Sequence, residues 1–320
     1  MKKSLRLVTS TLLLVTLSAP AHGWGNVGHM AVAHVAYKRL TPQVRERADA
    51  LVRLNPRFRL WQPLIPRGTS ADDRRMMLFM IAATWADQIK GDGRHRSDGT
   101  HGGNVPPDDG TAARNIGYRD RAMHKYWHFK DEPFSPDGTP TQPPPSPNAE
   151  TQIDAFRQVL ASDEPDALKS YDLVWLLHLV GDIHQPLHAT ARFISADADG
   201  DDGGNGVKVC NPSCGSSLHS FWDGLPGSAF EVGPSIGPAI TYGEGLADAP
   251  AAAADNLNTA DWIRESFEAA QRDVYKSPIR VGLGPFPITQ PYRDSADKVA
   301  RARVALAGAR LANILNRELK

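Results

Sequence analysis

The sequence predicts an all-α fold: a single, mostly helical domain with long loops and one small hairpin. Helical periodicity recurs in several separate segments, and no long stretch alternates polar and apolar residues as a half-exposed strand would. No internal repeat is visible. The segments between the predicted helices are rich in Gly, Pro, Asn and Asp, which are typical of turns and loops.

The predicted helices follow the segments with a helical period. Thr41 is a good N-cap and Pro42 a good first helical residue. Asp72 or Asp73 opens another helix. We expect helices over residues 28–40, 42–54, 72–90, 150–160, 255–275 and 295–319, together with the stretch 173–188 described below.

Loops and one hairpin are predicted elsewhere. Segments 55–68 and 132–148 are rich in proline, and segment 91–119 combines Gly, Asp, Asn and Pro without any periodicity. A short element is expected over 123–131. The segment GGNGVKVC, residues 203–210, is predicted to be one strand of a small hairpin.

The first residues have the pattern of a secretory signal peptide. Three basic residues precede an apolar run over positions 7–17, and a small-x-small cleavage signal ends at Gly23. We therefore expect residues 1–23 to be a signal peptide and residues 24–320 to form one exported domain, secreted or periplasmic. The apolar run is too short to span a membrane, and no later stretch is long enough, so no membrane anchor is predicted.

The charge balance excludes one class of partner. The chain has 36 Lys and Arg against 36 Asp and Glu, and three of the basic residues lie in the predicted signal peptide, which leaves a charge of −3. A globally basic surface of the kind that binds duplex DNA is therefore excluded. If the substrate is a phosphate ester, the positive charge must be local, such as a bound metal.

The chain has two cysteines, Cys210 and Cys214. In an exported protein a close pair is more often a small-loop disulfide than a metal site. We predict that these two residues form a disulfide, which is too local to be the main staple of a domain this size.

The most informative stretch is LVWLLHLVGDIHQPLH, residues 173–188. It holds three candidate metal ligands, His178, Asp182 and His188, in an otherwise apolar segment. The first two are four residues apart and share one face of a helix. Pro186 breaks the helix, so His188 can point elsewhere. Because a bare carboxylate among Leu, Val and Trp is costly to bury without a cation, the stretch predicts the spine of a metal site.

Other fragments carry further candidate ligands. They are Trp24 and His29 at the predicted new N-terminus, Asp87, His128, and the pair His219 and Asp223. A set of histidines and carboxylates with no needed thiolate suits zinc in a catalytic rather than a structural role.

Each of these residues alone has a plainer explanation. A single histidine is usually on the surface or satisfied in the core, and His219 and Asp223 could form an ordinary helical hydrogen bond. Asp87 could be a capping carboxylate, although it lies late in its predicted helix, where a negative charge opposes the dipole. Two separate H-x-x-x-D pairs flanked by Trp, Leu and Phe are hard to explain as solvated faces, which favours the metal site.

Together the fragments resemble the exported zinc-dependent single-strand nucleases, which include the mung-bean, fungal type I and plant bifunctional nucleases and share a superfamily with the zinc phospholipases C. The matching pieces occur in the family's order and span nearly all of residues 24–320. They are W-G-x-x-G-H at Trp24, W-A-D at Asp87, H-F-x-D at His128, H-x-x-G-D-x-x-Q-P-L-H at His178, G-G-N at Gly203 and L-H-S-x-W-D at Leu218.

This resemblance implies a phospholipase C/nuclease-like fold that binds three Zn²⁺ per chain. One zinc would be held by Asp87, His128, His178 and Asp182, a second by the amino group and carbonyl of Trp24 with His29 and Asp182, and a third by His188, His219 and Asp223. Asp182 would then bridge the first two ions.

The resemblance also implies the reaction. Hydroxide shared by the first two zinc ions would attack phosphorus in line, and the third zinc would stabilise the departing 3′ oxygen. The substrates would be single-stranded DNA, RNA and 3′-nucleotides, strand cleavage would leave 5′-phosphates, and we expect a monomer. The catalytic residues would be Asp182 and Lys90. Lys90 would neutralise charge on the phosphate, and the fungal relatives tend to have Arg at its position.

Three residues are candidates for substrate contacts by the same resemblance. Phe129 would stack on a base and Asp131 would hydrogen-bond it, which favours unstacked single strands. Asn205, in the G-G-N motif, is a third candidate. The plainer readings are that Phe129 belongs to the core and that Asn205 is a turn residue. His184 is expected to have a supporting or surface role, because the fungal relatives need no ligand there.

Two other functions compete with the nuclease. A zinc phospholipase C would share the metal core, but the short spacing from Trp24 to His29, and Asp rather than Glu at position 223, favour a nuclease. A non-catalytic module stabilised by zinc is disfavoured because the ligand sets leave coordination positions open and because Lys90 lies next to them. The cysteines depart from the two-disulfide pattern of the plant and fungal members, and their disulfide would tighten the loop that leads into His219.

Overall fold

The computed structural model describes residues 23–229 and 231–319. Apart from Gly23, the predicted signal peptide lies outside the described residues. Most of the described chain is helical, which confirms the all-α prediction. No helix in the described ranges is both long enough and apolar enough to cross a membrane.

The helices agree with most of the predicted segments to within a few residues. They are α1 (Asn26–Arg39), α2 (Pro42–Val52), α3 (Phe58–Trp61), α4 (Ala71–Ala82), α5 (Trp85–Gln88), α6 (Ala149–Ala161), α7 (Asp166–Asp182), α8 (Leu218–Asp223), α9 (Val232–Glu244), α10 (Ala251–Asp255), α11 (Thr259–Ala269) and α12 (Gln290–Glu318). Short 3₁₀ turns cover Gln62–Leu64, Ile89–Gly91, His101–Gly103, Gly117–Arg119, Lys125–Trp127 and Pro186–His188, and a π-helical turn covers Ala270–Val274.

Helix α7 lies at the centre of the fold. All of its residues from Lys169 to Asp182 are buried. A helix that is apolar on every side needs neighbours all round, and α7 packs against α1, α2, α5, α6 and α12. The predicted spine of the metal site therefore lies inside the hydrophobic core, where its histidine and aspartate have little access to water.

The strands in the described residues are short and form one two-stranded and one three-stranded sheet. Strand β1 (Glu132–Phe134) pairs in parallel with β2 (Thr190–Arg192). Strand β3 (Lys208–Cys210) pairs with β4 (Cys214–Ser217) as the predicted antiparallel hairpin, and β5 (Phe286–Pro287) joins the other edge of β3. The predicted disulfide between Cys210 and Cys214 closes the hairpin, which leads directly into α8.

The prediction of one helix over 72–90 was wrong, because the helix breaks after Ala82. Ser70, not an aspartate, is the N-cap of α4. At the break the carbonyl of Ala83 accepts a hydrogen bond from His178 Nδ1 at 2.8 Å. The chain restarts at Trp85 as the short α5. A tertiary hydrogen bond to a candidate ligand thus accompanies the break, and no local pattern reveals it.

Helices α9 and α3 were missed, as was the five-residue α10. Helix α9 has the sequence VGPSIGPAITYGE, whose glycines and prolines oppose a helix. It forms because it packs along α1 and buries Ile236 and Ala239. The predicted loop 55–68 contains the short α3, which buries Trp61. In both segments, packing overrides local propensity.

A buried histidine holds the long loop after α5. The ring of His124 stacks on Trp127 at 3.6 Å, its Nδ1 lies 2.7 Å from Asp98 Oδ2, and its Nε2 lies 3.2 Å from Asp120 Oδ2. Burial alone would lower the pKa of His124, but the hydrogen bonds to Asp120 and Asp98 outweigh it and raise the pKa above 6.5. The same contacts lower the pKa of both carboxyls against their burial.

We expect His124→Gln to lower the free energy of unfolding by about 3 kcal/mol in mildly acidic solution, because Asp98 and Asp120 lose their positively charged partner. The raised pKa means that the stabilisation by His124 is full below pH 6.5 and is lost as the pH rises through the folded-state value. The lowered pKa values mean that the carboxylates stabilise above pH 3.8 and cease to do so as the pH falls. Denaturant unfolding at a series of pH values measures this. The free energy of unfolding of the variant should differ most from that of wild type between pH 3.8 and pH 6.5.

The exposed His101 of the same loop provides the control. We expect His101→Asn to change stability by no more than about 0.5 kcal/mol at every pH. A destabilisation by His124→Gln that is the same at high and low pH would contradict the charged pairing.

Candidate metal centre

Five candidate ligands meet at the C-terminal end of α7, and we call them the inner group: His29, Asp87, His128, His178 and Asp182. Within it, His178 Nε2 lies 3.2 Å from Asp182 Oδ2, one turn away on α7. His128 Nδ1 lies 2.9 Å from the same oxygen. The hydrogen bond from His178 Nδ1 to Ala83 turns the other ring nitrogen toward the centre.

Two other elements complete the inner group. Helix α1 brings His29, whose Nε2 lies 3.3 Å from Asp182 Oδ1 and whose ring stacks on His178 at 3.7 Å. Helix α5 brings Asp87, whose Oδ1 lies 3.6 Å from His178 Nε2 and whose Oδ2 lies 4.0 Å from His29 Nε2. Residues far apart in sequence thus surround Asp182.

The outer group consists of His188, His219 and Asp223. The Nε2 atoms of the two histidines are 3.1 Å apart, and Asp223 Oδ2 lies 3.4 Å from His219 Nε2. Each histidine is oriented by a hydrogen bond from its Nδ1 to a backbone carbonyl, at 2.8 Å in both cases. His188 Nδ1 lies 3.9 Å from Asp182 Oδ1, so the two groups adjoin.

Trp24 and the residue before it lie against the inner group. The Trp24 side chain is fully buried. A Cβ built on Gly23 would lie 1.6 Å from Asp182 Oδ1 and 3.0 Å from His29 Nε2. Position 23 therefore occupies the space beside these two candidate ligands, and only a residue without a side chain fits there.

Two histidines of the inner group, His29 and His128, are neutral at neutral pH. Burial, followed by the positive charge of Lys90, lowers the pKa of His128 to about 3. Burial, followed by the charge of His178, lowers the pKa of His29 to about 4. At neutral pH both imidazoles keep a lone pair, which is the form that binds metal.

The carboxylates differ in their charge. Burial alone would raise the pKa of Asp182, but His178, His188 and the other ring contacts hold it well below its usual range, so Asp182 is ionised. Burial raises the pKa of Asp223 well above its usual range. A cation next to Asp223 would offset that burial and keep it ionised.

These residues fit metal ions. Both ring nitrogens of His29, Nε2 of His128 and Oδ1 of Asp182 are buried without a hydrogen-bond partner among the described residues. Such atoms are uncommon in folded proteins, and a cation would satisfy their lone pairs together. The ligand atoms of three sets lie within 4.8 Å of one another: His29, Asp87 and His178; His128, His178 and Asp182; and His188, His219 and Asp223.

The other predicted site residues lie around the two groups. Lys90 Nζ lies 2.8 Å from Asp87 Oδ1, and its side chain is only 5% exposed. Phe129 is half-buried and packs against the main core. Asp131 is half-buried, and burial followed by the charges of Asp202 and Asp201 raises its pKa well above the usual range.

Asn205 and His184 are occupied elsewhere. The side-chain amide of Asn205 donates to the carbonyl of Asp202 at 2.8 Å, as expected of a turn residue. His184 is fully buried, so the expected surface role was wrong. Its Nδ1 donates to the Val180 carbonyl at 2.7 Å and its Nε2 accepts from Arg310 at 3.0 Å, so both ring nitrogens are engaged by α7 and α12.

Gln185, for which no role was predicted, connects Asp223 to the turn that carries His188. It is fully buried, and its Nε2 donates to Asp223 Oδ1 at 2.8 Å. Its Oε1 accepts from the backbone of Leu187 at 2.6 Å, in the turn that carries His188. The signal in the sequence was a polar residue in an apolar stretch between two candidate ligands.

We expect Gln185→Ala to weaken metal binding at the outer group by about 10- to 100-fold, because Asp223 loses the partner that orients it. Competition with a chromophoric zinc chelator measures the affinity. Gln152→Ala, a change at a buried glutamine of α6, is the matched control and should leave it unchanged. Equal zinc affinity in the two variants would show that Gln185 does not position Asp223.

Fold and site together define a mostly helical protein that could hold metal ions on buried histidines and aspartates. Residues 24–320 match the family described as S1/P1 nuclease, and the chain belongs to this family. It is 24% identical over 261 residues to nuclease S1 of Aspergillus oryzae, an alignment that covers 78% of this chain and 69% of that protein. It is 27% identical over 213 residues to Endonuclease 2 of Arabidopsis thaliana, which covers 67% of this chain and 59% of that protein.

Family membership confirms the resemblance seen in the sequence and supports a nuclease activity. It also agrees with the helical fold.

Proposed function

We propose that this protein is an exported, zinc-dependent phosphodiesterase that hydrolyses single-stranded DNA and RNA to products with a 5′-phosphate, and that it also acts as a 3′-nucleotidase. The observation that carries the proposal is the convergence of the inner and outer groups on Asp182, with Lys90 beside Asp87. The disulfide supports export, since disulfides persist in oxidising compartments. We expect the protein to act as a monomer.

The proposed ligand sets use both groups and the N-terminus. One zinc is held by Asp87, His128, His178 and Asp182, a second by Trp24, His29 and Asp182, and a third by His188, His219 and Asp223. When bound, zinc supplies Lewis-acid charge next to a phosphate and lowers the pKa of water to near neutrality. His29 and His128, whose lowered pKa values keep them neutral, and the ionised Asp182 are in the protonation states that this role requires.

Lys90 supports phosphate chemistry rather than metal binding. Its ammonium lies 2.8 Å from Asp87 Oδ1, and its nearly buried position fixes the charge beside the inner group. In the proposed reaction this charge stabilises the extra negative charge that develops on the phosphate oxygens. Lysine supplies the charge without the two-pronged geometry of arginine.

We expect Lys90→Gln to lower kcat by roughly 10²- to 10³-fold with little change in zinc content, because it removes charge that acts mainly in the transition state. Lys90→Arg should retain most of the activity. Steady-state kinetics with parallel zinc analysis measure both. A Lys90→Gln variant with normal kcat would remove Lys90 from the catalytic residues.

The substrate contacts are assigned to residues next to His128. Phe129 stacks on a base, and Asp131 hydrogen-bonds it; an unstacked base is available only in a single strand. The raised pKa of Asp131 makes the carboxyl a potential donor as well as an acceptor. Asn205 is left as the weakest of the three assignments, since its amide already bonds Asp202.

The proposal is tested by assaying the form that begins at Trp24 on single-stranded DNA, RNA and phosphatidylcholine. We expect cleavage of both nucleic acids, with 5′-phosphate ends, and release of phosphate from 3′-nucleotides. Hydrolysis of the lipid alone would make the protein a phospholipase C. Hydrolysis of none of the substrates by zinc-loaded protein would leave a metal-stabilised module without activity.

A further inference from the structure

Two buried arginines of α12 hold one residue of the turn that follows α7. Arg303 and Arg310 are two helical turns apart, so they share one face of α12. Arg303 Nε donates to the backbone carbonyl of His184 at 3.1 Å, and Arg310 Nη1 donates to the ring Nε2 of the same residue at 3.0 Å. His184 is therefore held through both its backbone and its side chain.

Helix α11 holds the residue before it. The hydroxyl of Ser266 donates to the carbonyl of Ile183 at 2.5 Å and accepts from Arg303 Nη2 at 2.6 Å. The same helix packs against the 3₁₀ turn Pro186–His188. Two consecutive carbonyls beyond the end of α7 thus bond to a single hydrogen-bonded network.

This network contains more positive than negative charge. Glu265 Oε2 accepts from Arg303 at 2.9 Å, and its two oxygens accept from Arg310 at 2.7 Å each. Among the described residues, Glu265 is the carboxylate paired with either arginine. Because buried charge is costly without a partner, the carbonyls at the negative end of α7 are suitable acceptors for the remaining positive charge. We call Glu265, Ser266, Arg303 and Arg310 the α11–α12 cluster.

The segment that this cluster holds connects the two groups of candidate ligands. Asp182 of the inner group lies at the end of α7, and His188 of the outer group ends the short turn that follows. Their facing atoms, Asp182 Oδ1 and His188 Nδ1, are 3.9 Å apart. Metal ligands must be placed to within about 0.2 Å. The position of residues 183–187 therefore decides whether His188 can bind the same ion as His219 and Asp223.

The cluster acts on the centre through the backbone. In the described part of the chain, the remaining bonds of its arginines go to the carbonyls of Trp262 and Ala253, and none goes to a candidate metal ligand. The inner group has supports of its own, since His178 and Asp182 lie within α7 and His178 Nδ1 is held by the carbonyl of Ala83. A change in the cluster should consequently move the outer group and leave the inner group in place.

We propose that the α11–α12 cluster positions His188 relative to Asp182 and thereby sets the affinity of the outer group for zinc. Arg303 and Ser266 are then positioning residues, because they bond the carbonyls of His184 and Ile183. This inference rests on the proposed zinc binding and adds residues of α11 and α12 that lie outside the ligand sets.

The test uses Arg303→Met, which keeps a long side chain but removes every donor. Arg157→Met is the matched control: Arg157 pairs with Glu318 at 2.8 Å and donates to the carbonyl of Leu257 at 2.8 Å, so it also joins an ion pair to a backbone contact. Competition with a chromophoric chelator measures the affinity for each zinc. Substitution with Co²⁺ reports the geometry of the sites, because its absorption depends on coordination.

Arg303→Met is expected to weaken the binding of one of the three zinc ions by about 10-fold or more and to leave the other two unchanged. The Co²⁺ absorption of that site should change. Cleavage of single-stranded DNA should show a lower kcat at limiting zinc and recover at excess zinc, which a misfolded protein would not do. The control should unfold at lower denaturant concentration, as the variant does, with unchanged zinc affinities and Co²⁺ absorption.

A second variant covers the case in which Arg303→Met does not fold. Ser266→Ala removes only the hydroxyl between Arg303 and Ile183, and we expect a smaller loss of affinity at the same site. Unchanged affinity for all three zinc ions in the variants that fold, or an equal loss in Arg157→Met, would overturn the positioning role. Wild type that binds fewer than three zinc ions would reject the proposed function itself, whichever way the variants behave.

Discussion

Replacing Asp182 with asparagine is expected to lower kcat/KM on single-stranded DNA by roughly 10³-fold or more and to remove zinc from the inner group. Asn keeps the shape of the side chain but removes its charge. Among the described residues, Asp182 is the carboxylate that contacts His29, His128 and His178 at 2.9–3.3 Å. Without the Asp182 carboxylate, Asp87 would be the only remaining carboxylate of the inner group to balance the charge of a bound cation.

A second buried aspartate of α7 supplies a matched control. Asp172 is fully buried and accepts hydrogen bonds from Asn115 at 2.8 and 2.9 Å. Burial raises its pKa to about 8, so it is largely protonated at neutral pH and Asp172→Asn changes little charge. Zinc content and kcat/KM should be near wild type in this variant. Normal zinc content in Asp182→Asn would contradict the bridging role.

The second large effect concerns the residue before Trp24. If the amino group of Trp24 is a ligand, retaining even Gly23 converts it to a peptide nitrogen that cannot bind metal. Gly23 also occupies the space beside Asp182 and His29. We expect a protein that keeps Gly23 to lose one zinc and roughly a thousandfold in activity, since one metal ion contributes several kcal/mol to the transition state.

The measurement compares two proteins released from the same fusion, one beginning at Gly23 and one at Trp24. A glycine added after Lys320 is the control, and it should have no effect. Full activity and unchanged zinc content in the Gly23 form would exclude the amino group as a ligand.

Much of the site could be predicted from the sequence because its residue types are out of place locally. His178 and Asp182 lie in an apolar helix, where an unpaired charge is costly. His219 and Asp223 repeat the same spacing. The structure brings these residues together with His29, Asp87 and His128, and such long-range convergence was implied only by the family resemblance.

The parts that could not be predicted depend on tertiary contacts. The break between α4 and α5 coincides with the hydrogen bond from His178 to Ala83, which comes from another element. Helix α9 forms against its glycines and prolines because α1 covers it. His184 was expected to have a supporting or surface role, yet it is buried against Arg310.

Hydrogen bonds that orient side chains across the fold could not be predicted from the sequence either. Gln185 was part of a recognised motif, but its two hydrogen bonds define its role only in three dimensions. The pairing of His124 with Asp98 and Asp120 crosses a loop that lacks any periodicity.

We propose that the inner and outer groups, with Trp24, hold three zinc ions that are required for cleavage of single strands. The most direct measurement titrates zinc into the metal-free protein that begins at Trp24 and follows bound zinc and DNA cleavage in the same samples. We expect saturation at three zinc per chain, with activity that reaches its maximum only when the last site fills. Saturation at one zinc, or full activity in the metal-free protein, would contradict it.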